Sequence, residues 1–272
     1  LHLSLRRQRQ MCIRDSNIDA LLPETLSKRP GSLGTEDNIN LAHLIVGSEG
    51  TLAYSTAIEL KLSPLPTNKI MALCHFSSFY EAMDAAQYLV QLDPVTVELI
   101  DDKMISLARS IPLFQKTVSD FVLGDPAALL VVEFAEETDT ANLTKIKELK
   151  KTMAQLNAQS KKTRYSDAAC VVTLEPTADQ NRISEMRKSG LNIMMSMKSE
   201  TKPVSFVEDC AVPLKDLAEY TKRLTQIFEK YDTSGTWYAH ASVGCLHVRP
   251  LLNMKLGEDA EKMRSIATEA FA

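Results

Sequence analysis

Two histidines near the end of the chain, in His240-Ala241-Ser242-Val243-Gly244-Cys245-Leu246-His247, are the first residues whose type and spacing suggest chemistry. If Val243-Gly244 forms the two-residue loop of a hairpin, His240 faces His247 across the strands, with Cβ atoms ~5 Å apart on one side of the sheet. Two imidazoles at that separation can hold one metal ion, and Cys245, on the same side as His247, could add a soft ligand. A longer loop would change the pairing, because valine is a poor residue for the positive φ that a two-residue turn demands. Histidines packed for purely structural reasons are the plainer alternative.

Three other groups invite the same question. Gly47-Ser48-Glu49-Gly50-Thr51 has two glycines three apart, a pattern that lets backbone approach a ligand closely and lets consecutive N–H groups cradle a phosphate or a flavin chain. It lacks the third glycine and the following helix of a dinucleotide fingerprint, and a simple turn is the commoner explanation. Arg182, Arg187 and Lys188 lie on a short helix expected after Pro176. An arginine fork suits a carboxylate substrate, although a charged surface helix would look the same. Glu208-Asp209 ends a strand that otherwise reads apolar, where an acid needs a partner.

The elements that must position these residues follow a repeated pattern. Ile70–Phe76 reads as a strand, Ser78–Gln91 as a helix opened by the capping box Ser78-Phe79-Tyr80-Glu81, and Val95–Ile100 as a second strand. Ala127–Phe134 then reads as a buried strand, followed by a helix marked by Leu143, Ile146, Leu149, Met153 and Leu156 and a weaker strand over Arg164–Thr173. Val204–Val212 is a third opening strand. Pro213 sits at the first turn of a helix carrying Leu214, Leu217, Thr221, Leu224 and Phe228, and Trp237–His240 pairs with Cys245–Val248. Three β-α-β units of this kind predict an α+β fold, a largely antiparallel sheet with helices on one face. Upstream, Asn17–Asn38 is polar and turn-rich. Ala42–Val46 and Leu52–Leu62 look strand-like, and Pro64 and Pro66 mark a domain boundary.

Composition sets the outer limits. With 272 residues, 44% hydrophobic and 24% charged, the chain allows one large domain or two ordinary ones with a sizeable core. A net charge of −4 argues against a broadly basic nucleic-acid face, and no apolar run approaches the ~18 residues of a membrane span. The five cysteines are scattered without a C-x-x-C, which disfavours an iron–sulfur cluster, a zinc ribbon or a thioredoxin-type motif and suits reduced thiols in the cytoplasm. Leu1–Ser16 carries four arginines and one aspartate, leaving −7 on the remainder. It resembles an adapter-derived string and is read as foreign to the fold, so that the chain is expected to be a fragment. The expected organisation is residues 1–16 as a non-native extension, 17–66 as the last strip of one domain and 67–272 as a second domain.

Together the motifs resemble a known family. L-I-V-G-S-E-G-T-L at Leu44–Leu52 with E-L-K-L at Glu59–Leu62 resembles the end of the PCMH-type FAD-binding domain in FAD-linked oxidases of the vanillyl-alcohol-oxidase superfamily. F-V-E-D-C-A-V-P at Phe206–Pro213 and H-x-x-x-G-x-L-H at His240–His247 resemble the C-terminal domain of the D-lactate, glycolate and D-2-hydroxyglutarate dehydrogenase group. The resemblance implies that His240 and His247 ligate a catalytic divalent metal (zinc, manganese or iron), that Arg187 pairs with the substrate carboxylate, and that Gly47, Ser48, Glu49, Gly50 and Thr51 touch FAD. The implied chemistry is hydride transfer from C2 of a D-2-hydroxy acid to the flavin while a base takes the hydroxyl proton. Electrons then pass to a quinone, a cytochrome or an electron-transfer flavoprotein.

Several residues depart from the family pattern. Ala53 replaces a glycine, Cys245 an asparagine and Val207 a lysine, with Lys202 too far upstream to substitute. Arg249 stands where a polar residue often contacts substrate, and it suits a second carboxylate, which favours D-2-hydroxyglutarate over D-lactate or glycolate. The early flavin domain and a Glu-His pair beyond the second histidine, source of the third metal ligand and the base, are expected outside this sequence. The chain by itself is therefore expected to be inactive. A cytoplasmic protein is expected, with peripheral attachment to the inner membrane and homo-oligomerisation left open. The rivals are a non-catalytic α+β binding module with structural histidines, and a metal-binding protein without flavin.

Overall fold

The computed structural model describes residues 45, 47–58, 62, 65–159 and 170–271. The chain divides into two compact units, Leu1–Leu65 and Pro66–Ala272. Residues 1–44, which include Leu1–Ser16 and the turn-rich Asn17–Asn38, lie outside the described residues. So does most of the expected strand Ala42–Val46, of which Ile45 is helical. The expected strand Leu52–Leu62 is not formed at its described residues 52–58, which carry only bends and irregular chain.

In the second unit the order is β1 (Ile70–Phe76), α1 (Phe79–Leu89), β2 (Thr96–Asp101), α2 (Asp102–Ser110), α3 (Pro112–Phe121), β3 (Ala128–Phe134), α4 (Asp139–Gln159) and β4 (Val171–Leu174). There follow α5 (Thr177–Lys188), α6 (Gly190–Met195), β5 (Lys202–Pro203), β6 (Val207–Ala211), α7 (Leu217–Lys230), β7 (Gly235–His240), β8 (Cys245–Leu252) and α8 (Gly257–Ala270). The strands form one sheet in the order β4-β1-β3-β2-β7-β8-β5, with β6 also paired to β8. Every pairing is antiparallel. Because β3 lies between β1 and β2 and opposes both, the β1-α1-β2 crossover joins parallel strands that never pair, a split β-α-β arrangement.

Local chemistry explains most boundaries. The Ser78 hydroxyl accepts from the Glu81 N–H at 3.5 Å, the N-cap half of the expected box. Pro112 starts α3 at a position where its missing N–H costs nothing. The stripe on α7 buries Leu217, Thr221, Leu224 and Phe228 as expected, while Leu214 falls in a short 3₁₀ turn that leads in from Pro213.

The expected single helical layer is half of what forms. Ile70, Ala72, Cys74 and Phe76 of β1 join one core with residues of α1, α4, α7 and α8. Met71 and Leu73, on the other face, join a second core with residues of α2, α3, α5 and α6. All seven residues of β1 and all seven of β3 are consequently buried, which is why those segments read as continuous apolar runs rather than alternations. In β7 and β8 burial alternates, and the half-buried positions are Tyr238, His240, His247, Arg249 and Leu251. The second helical layer therefore stops short of these strands, leaving a polar strip on that face.

The β7–β8 connection is longer than two residues. Tyr238 pairs with His247 and His240 with Cys245, so Ala241–Gly244 forms the link, with Ala241–Val243 in a 3₁₀ turn. This corrects the expected direct pairing of the two histidines. Gly244 closes the turn at φ 68°, and a Cβ built there would sit 1.9 Å from the Val212 carbonyl oxygen.

Two buried titratable groups are structural. His75 presents Nδ1 to the carbonyls of Cys170 (3.1 Å) and Leu73 (3.2 Å), and its Nε2 accepts from the Leu123 N–H at 3.0 Å. Burial lowers its pKa, so this ring works as a neutral linker. Asp101 accepts from the Met104 N–H (2.8 Å), capping α2, and from the Trp237 N–H (2.7 Å). Burial pushes its pKa up to about 7, against the lowering effect of those N–H groups.

Two outcomes follow from these contacts. Gly244→Ala is expected to cost at least about 2 kcal/mol in urea unfolding, since left-handed backbone strain and a clash with main chain act together. For Asp101 the unfolded carboxyl releases its proton near pH 4 and the folded one near 7, so the stability difference between wild type and Asp101→Asn should move against the wild type as pH rises across that window, by on the order of a few kcal/mol. A difference flat from pH 4 to 8 would contradict this assignment.

Candidate functional site

The polar strip left by the second helical layer contains a buried carboxylate that the sequence reading did not single out. Glu98 lies on β2 between Val97 and Leu99, which face the first core, so Glu98 points to the opposite face. The β2–β7 ladder pairs Leu99 with Ala239, and its next step sets Glu98 across from His240. The Glu98 side chain is only 6% exposed. Arg187 reaches it from the last turn of α5, with Nη2 donating to Oε2 at 2.5 Å, while His240 Nδ1 lies 3.0 Å from the same oxygen.

Arg187 Nη2 is also 3.2 Å from His240 Nδ1. A carboxylate can only accept, so the two Glu98 contacts are satisfied together when Nδ1 carries the proton. The lone pair of His240 is then on Nε2, the nitrogen turned away from Glu98. Arg187 Nε is buried with no hydrogen-bond partner, a donor left over in a cluster otherwise built of paired groups.

His247 completes the strip. Its ring stacks on Tyr238, directly opposite it on β7, with centroids 4.7 Å apart and planes 21° apart. His240, one step along the same face, meets His247 edge-on with centroids 5.3 Å apart. The two histidines are thus diagonal rather than opposed, yet still within reach of one ligand. Two residues further along β8, Arg249 is held by Glu208 of β6, with Nε to Oε1 and Nη2 to Oε2 at 3.1 Å. This is the partner the Glu208 position called for. Glu208 stands opposite His247, and a bulge follows it because Cys210 pairs with Leu246.

The remaining candidates separate cleanly. Of the three cations on α5, Arg187 alone joins the strip. Arg182 pairs with Asp120 at 2.7 Å and lies over the Phe121 ring, tying α5 to α3, while Lys188 pairs with Glu185 on the surface. Cys245 is buried, and among the described residues no group of three or more His, Cys, Asp or Glu could hold a metal ion, so it does not complete a three-donor set. Lys202 donates to the Met197 carbonyl. In the first unit, Gly47, Glu49 and Gly50 all have positive φ (82°, 50° and 81°), and the Thr51 N–H and hydroxyl both close on the Ser48 carbonyl. Gly50 has open space where a Cβ would be, which fits a surface able to lie against a flat ligand.

Two concavities open away from the histidines, one of ≈ 650 Å³ lined by Ser77, Asp102, Ser106, Arg109 and Asp125, the other of ≈ 590 Å³ between α3 and α5. Neither gathers imidazoles with an unpaired cation donor, a combination found on the β2–β7–β8 strip. Structural and catalytic metals take three or four protein ligands. His240 and His247 supply two nitrogen donors, short of such a set among the described residues, and Glu98 lies behind His240 on its Nδ1 side.

Comparison with known proteins agrees with this architecture. Residues 65–272 match the family described as FAD linked oxidases, C-terminal domain. D-2-hydroxyglutarate dehydrogenase of Escherichia coli (strain K12) is 28% identical over 237 residues, covering 86% of this chain and 23% of that protein. Glycolate oxidase subunit GlcD of Bacillus subtilis (strain 168) is 27% identical over 239 residues, covering 85% and 45%. Among solved structures, alkyldihydroxyacetonephosphate synthase superposes with a TM-score of 0.53 at 17% identity, over 88% of this chain and 46% of that one, and shares the fold. The chain spans about a quarter of the dehydrogenase and under half of the oxidase subunit. It belongs to the FAD-linked oxidases, and residues 65–272 are their C-terminal domain.

Proposed function

We propose that this chain supplies the substrate-binding half of an FAD-dependent dehydrogenase that oxidises a D-2-hydroxy acid, with D-2-hydroxyglutarate favoured. The observation that carries the reading is the convergence of Arg187, with its partnerless buried Nε, and of His240 and His247 on one half-buried strip. Relatives named D-2-hydroxyglutarate dehydrogenase in E. coli and in Pantoea ananatis support the substrate class.

When bound, FAD supplies the hydride acceptor and a divalent cation the charge that gathers the hydroxyl and carboxylate oxygens of a 2-hydroxy acid. His240 Nε2 and His247 would hold that cation, and Gly47–Thr51 would lie against the flavin. Arg187 orients the substrate carboxylate: one guanidinium nitrogen is anchored on Glu98, which leaves donors of the same group for a ligand. The Tyr238 ring beneath His247 limits how that imidazole can turn. Arg249 meets the distal carboxylate of a dicarboxylate by exchange with Glu208, which holds the guanidinium in place until then. The electrons leave to a quinone, a cytochrome or an electron-transfer flavoprotein. Cys74, Cys170, Cys210 and Cys245 are in no disulfide, in keeping with a reducing compartment, and no helix among the described residues is long and apolar enough to cross a membrane.

In the full-length protein, Arg187→Ala should lower kcat/KM for the hydroxy acid by ~10²-fold or more while the bound flavin spectrum persists. Removing metal with a chelator should abolish turnover, with zinc, manganese or iron restoring it. Full activity after exhaustive chelation would overturn the metal role. Arg249→Ala should reduce the preference for D-2-hydroxyglutarate over D-lactate by roughly 10-fold. An unchanged ratio would remove the case for a dicarboxylate.

A further inference from the structure

Glu98 sits at the point where the substrate end and the cation end of this strip meet, and this inference rests on the function proposed above. We infer that Glu98 is a positioning residue which sets His240 in the Nδ1–H tautomer and aims Arg187, so that one carboxylate couples the two halves of the site. The reasons are geometric. Oε2 receives both Arg187 Nη2 (2.5 Å) and His240 Nδ1 (3.0 Å), and Nδ1 also lies 3.2 Å from Oε1. A closed Arg–Glu pair would use two parallel hydrogen bonds, as Arg249 and Glu208 do. Arg187 instead gives Glu98 one nitrogen and keeps Nε without a partner.

The scaffold makes the arrangement rigid. Glu98 and His240 stand on neighbouring strands in a fixed register, while Arg187 follows the buried Met186 on α5. A carboxylate this buried is stable only with donors on it. The nitrogen of His240 that is left with a lone pair is therefore decided by Glu98: without it, Nδ1 has Arg187 as its polar neighbour in the cluster, and a guanidinium can only donate. Removing the carboxylate should turn the ring from Nδ1–H to Nε2–H and so withdraw the lone pair from the ligand side.

The test is histidine side-chain nitrogen NMR on the full chain with isotope-labelled histidine, at a pH where the rings are neutral. The wild type should show His240 as Nδ1–H. Glu98→Ala should show Nε2–H, and Glu98→Gln, which keeps an acceptor oxygen, should restore Nδ1–H. His75 reports the fold, because its ring is held by backbone groups of Leu73, Cys170 and Leu123. A wild-type His240 in the Nε2–H form, or one that stays Nδ1–H in Glu98→Ala while His75 is unchanged, overturns the inference. If Glu98→Ala loses the His75 signature, the wild-type tautomer decides. In the full-length protein, zinc affinity should fall ~10- to 100-fold in Glu98→Ala and much less in Glu98→Gln. Turnover that survives metal removal would sink the proposed function while leaving the tautomer assignment standing. A metal-dependent enzyme whose His240 ignores Glu98 would sink this inference alone.

Discussion

A carboxylate held away from water between a guanidinium and an imidazole is stable only while both donors stay in reach, and the arrangement of the polar strip depends on that constraint. Glu98 is fixed by the β2–β7 register, so its two partners must come to it. His240 comes along the neighbouring strand, and Arg187 comes from a helix whose buried face holds Ile183 and Met186 against the second core. Removing Glu98 or Arg187 would leave the other's charge without its ion-pair partner in a poorly hydrated place, a larger loss than the pair itself contributes.

The sheet explains why this cluster can exist where it does. Over β1, β3 and β2 both faces are covered, and the polar groups there, Glu133 with Lys69 and the ring of His75, are paired off internally. Among the described residues the second core includes none from β7 or β8, and alternate residues of those strands are half-buried. That setting is dry enough to strengthen charge interactions. The same strip carries the second ion pair, Arg249 with Glu208, which places two anchored guanidinium groups on either side of the histidines.

Membership of the FAD-linked oxidases brings a division of labour. Residues 65–272 are the C-terminal domain of that family, and the relatives that match are considerably longer. In the function proposed above, this domain contributes recognition side chains, while redox chemistry belongs to the cofactor. The Gly47–Thr51 turn belongs to the other unit of this chain, and its three positive φ values show a backbone shaped more by conformation than by side-chain packing.

Much of this was legible in the amino-acid sequence. Local rules of periodicity and capping placed β1, α1, β3 and α7 to within a few residues, because those signals are carried by neighbours in the chain. Resemblance singled out His240, His247 and Arg187, which the tertiary structure brings onto one strip, and an isolated acid at Glu208 correctly demanded a partner. Three things were decided only in three dimensions. The second helical layer was hinted at by the unbroken apolar runs of β1 and β3, but burial on both faces is a property of the assembled sheet. The offset of the two histidines depended on a four-residue link whose last residue, Gly244, passes too close to the Val212 carbonyl for any side chain. Glu98 looked like one acid in a strand, since nothing within its own segment reveals that Arg187 and His240, 89 and 142 residues further along, share a single oxygen with it.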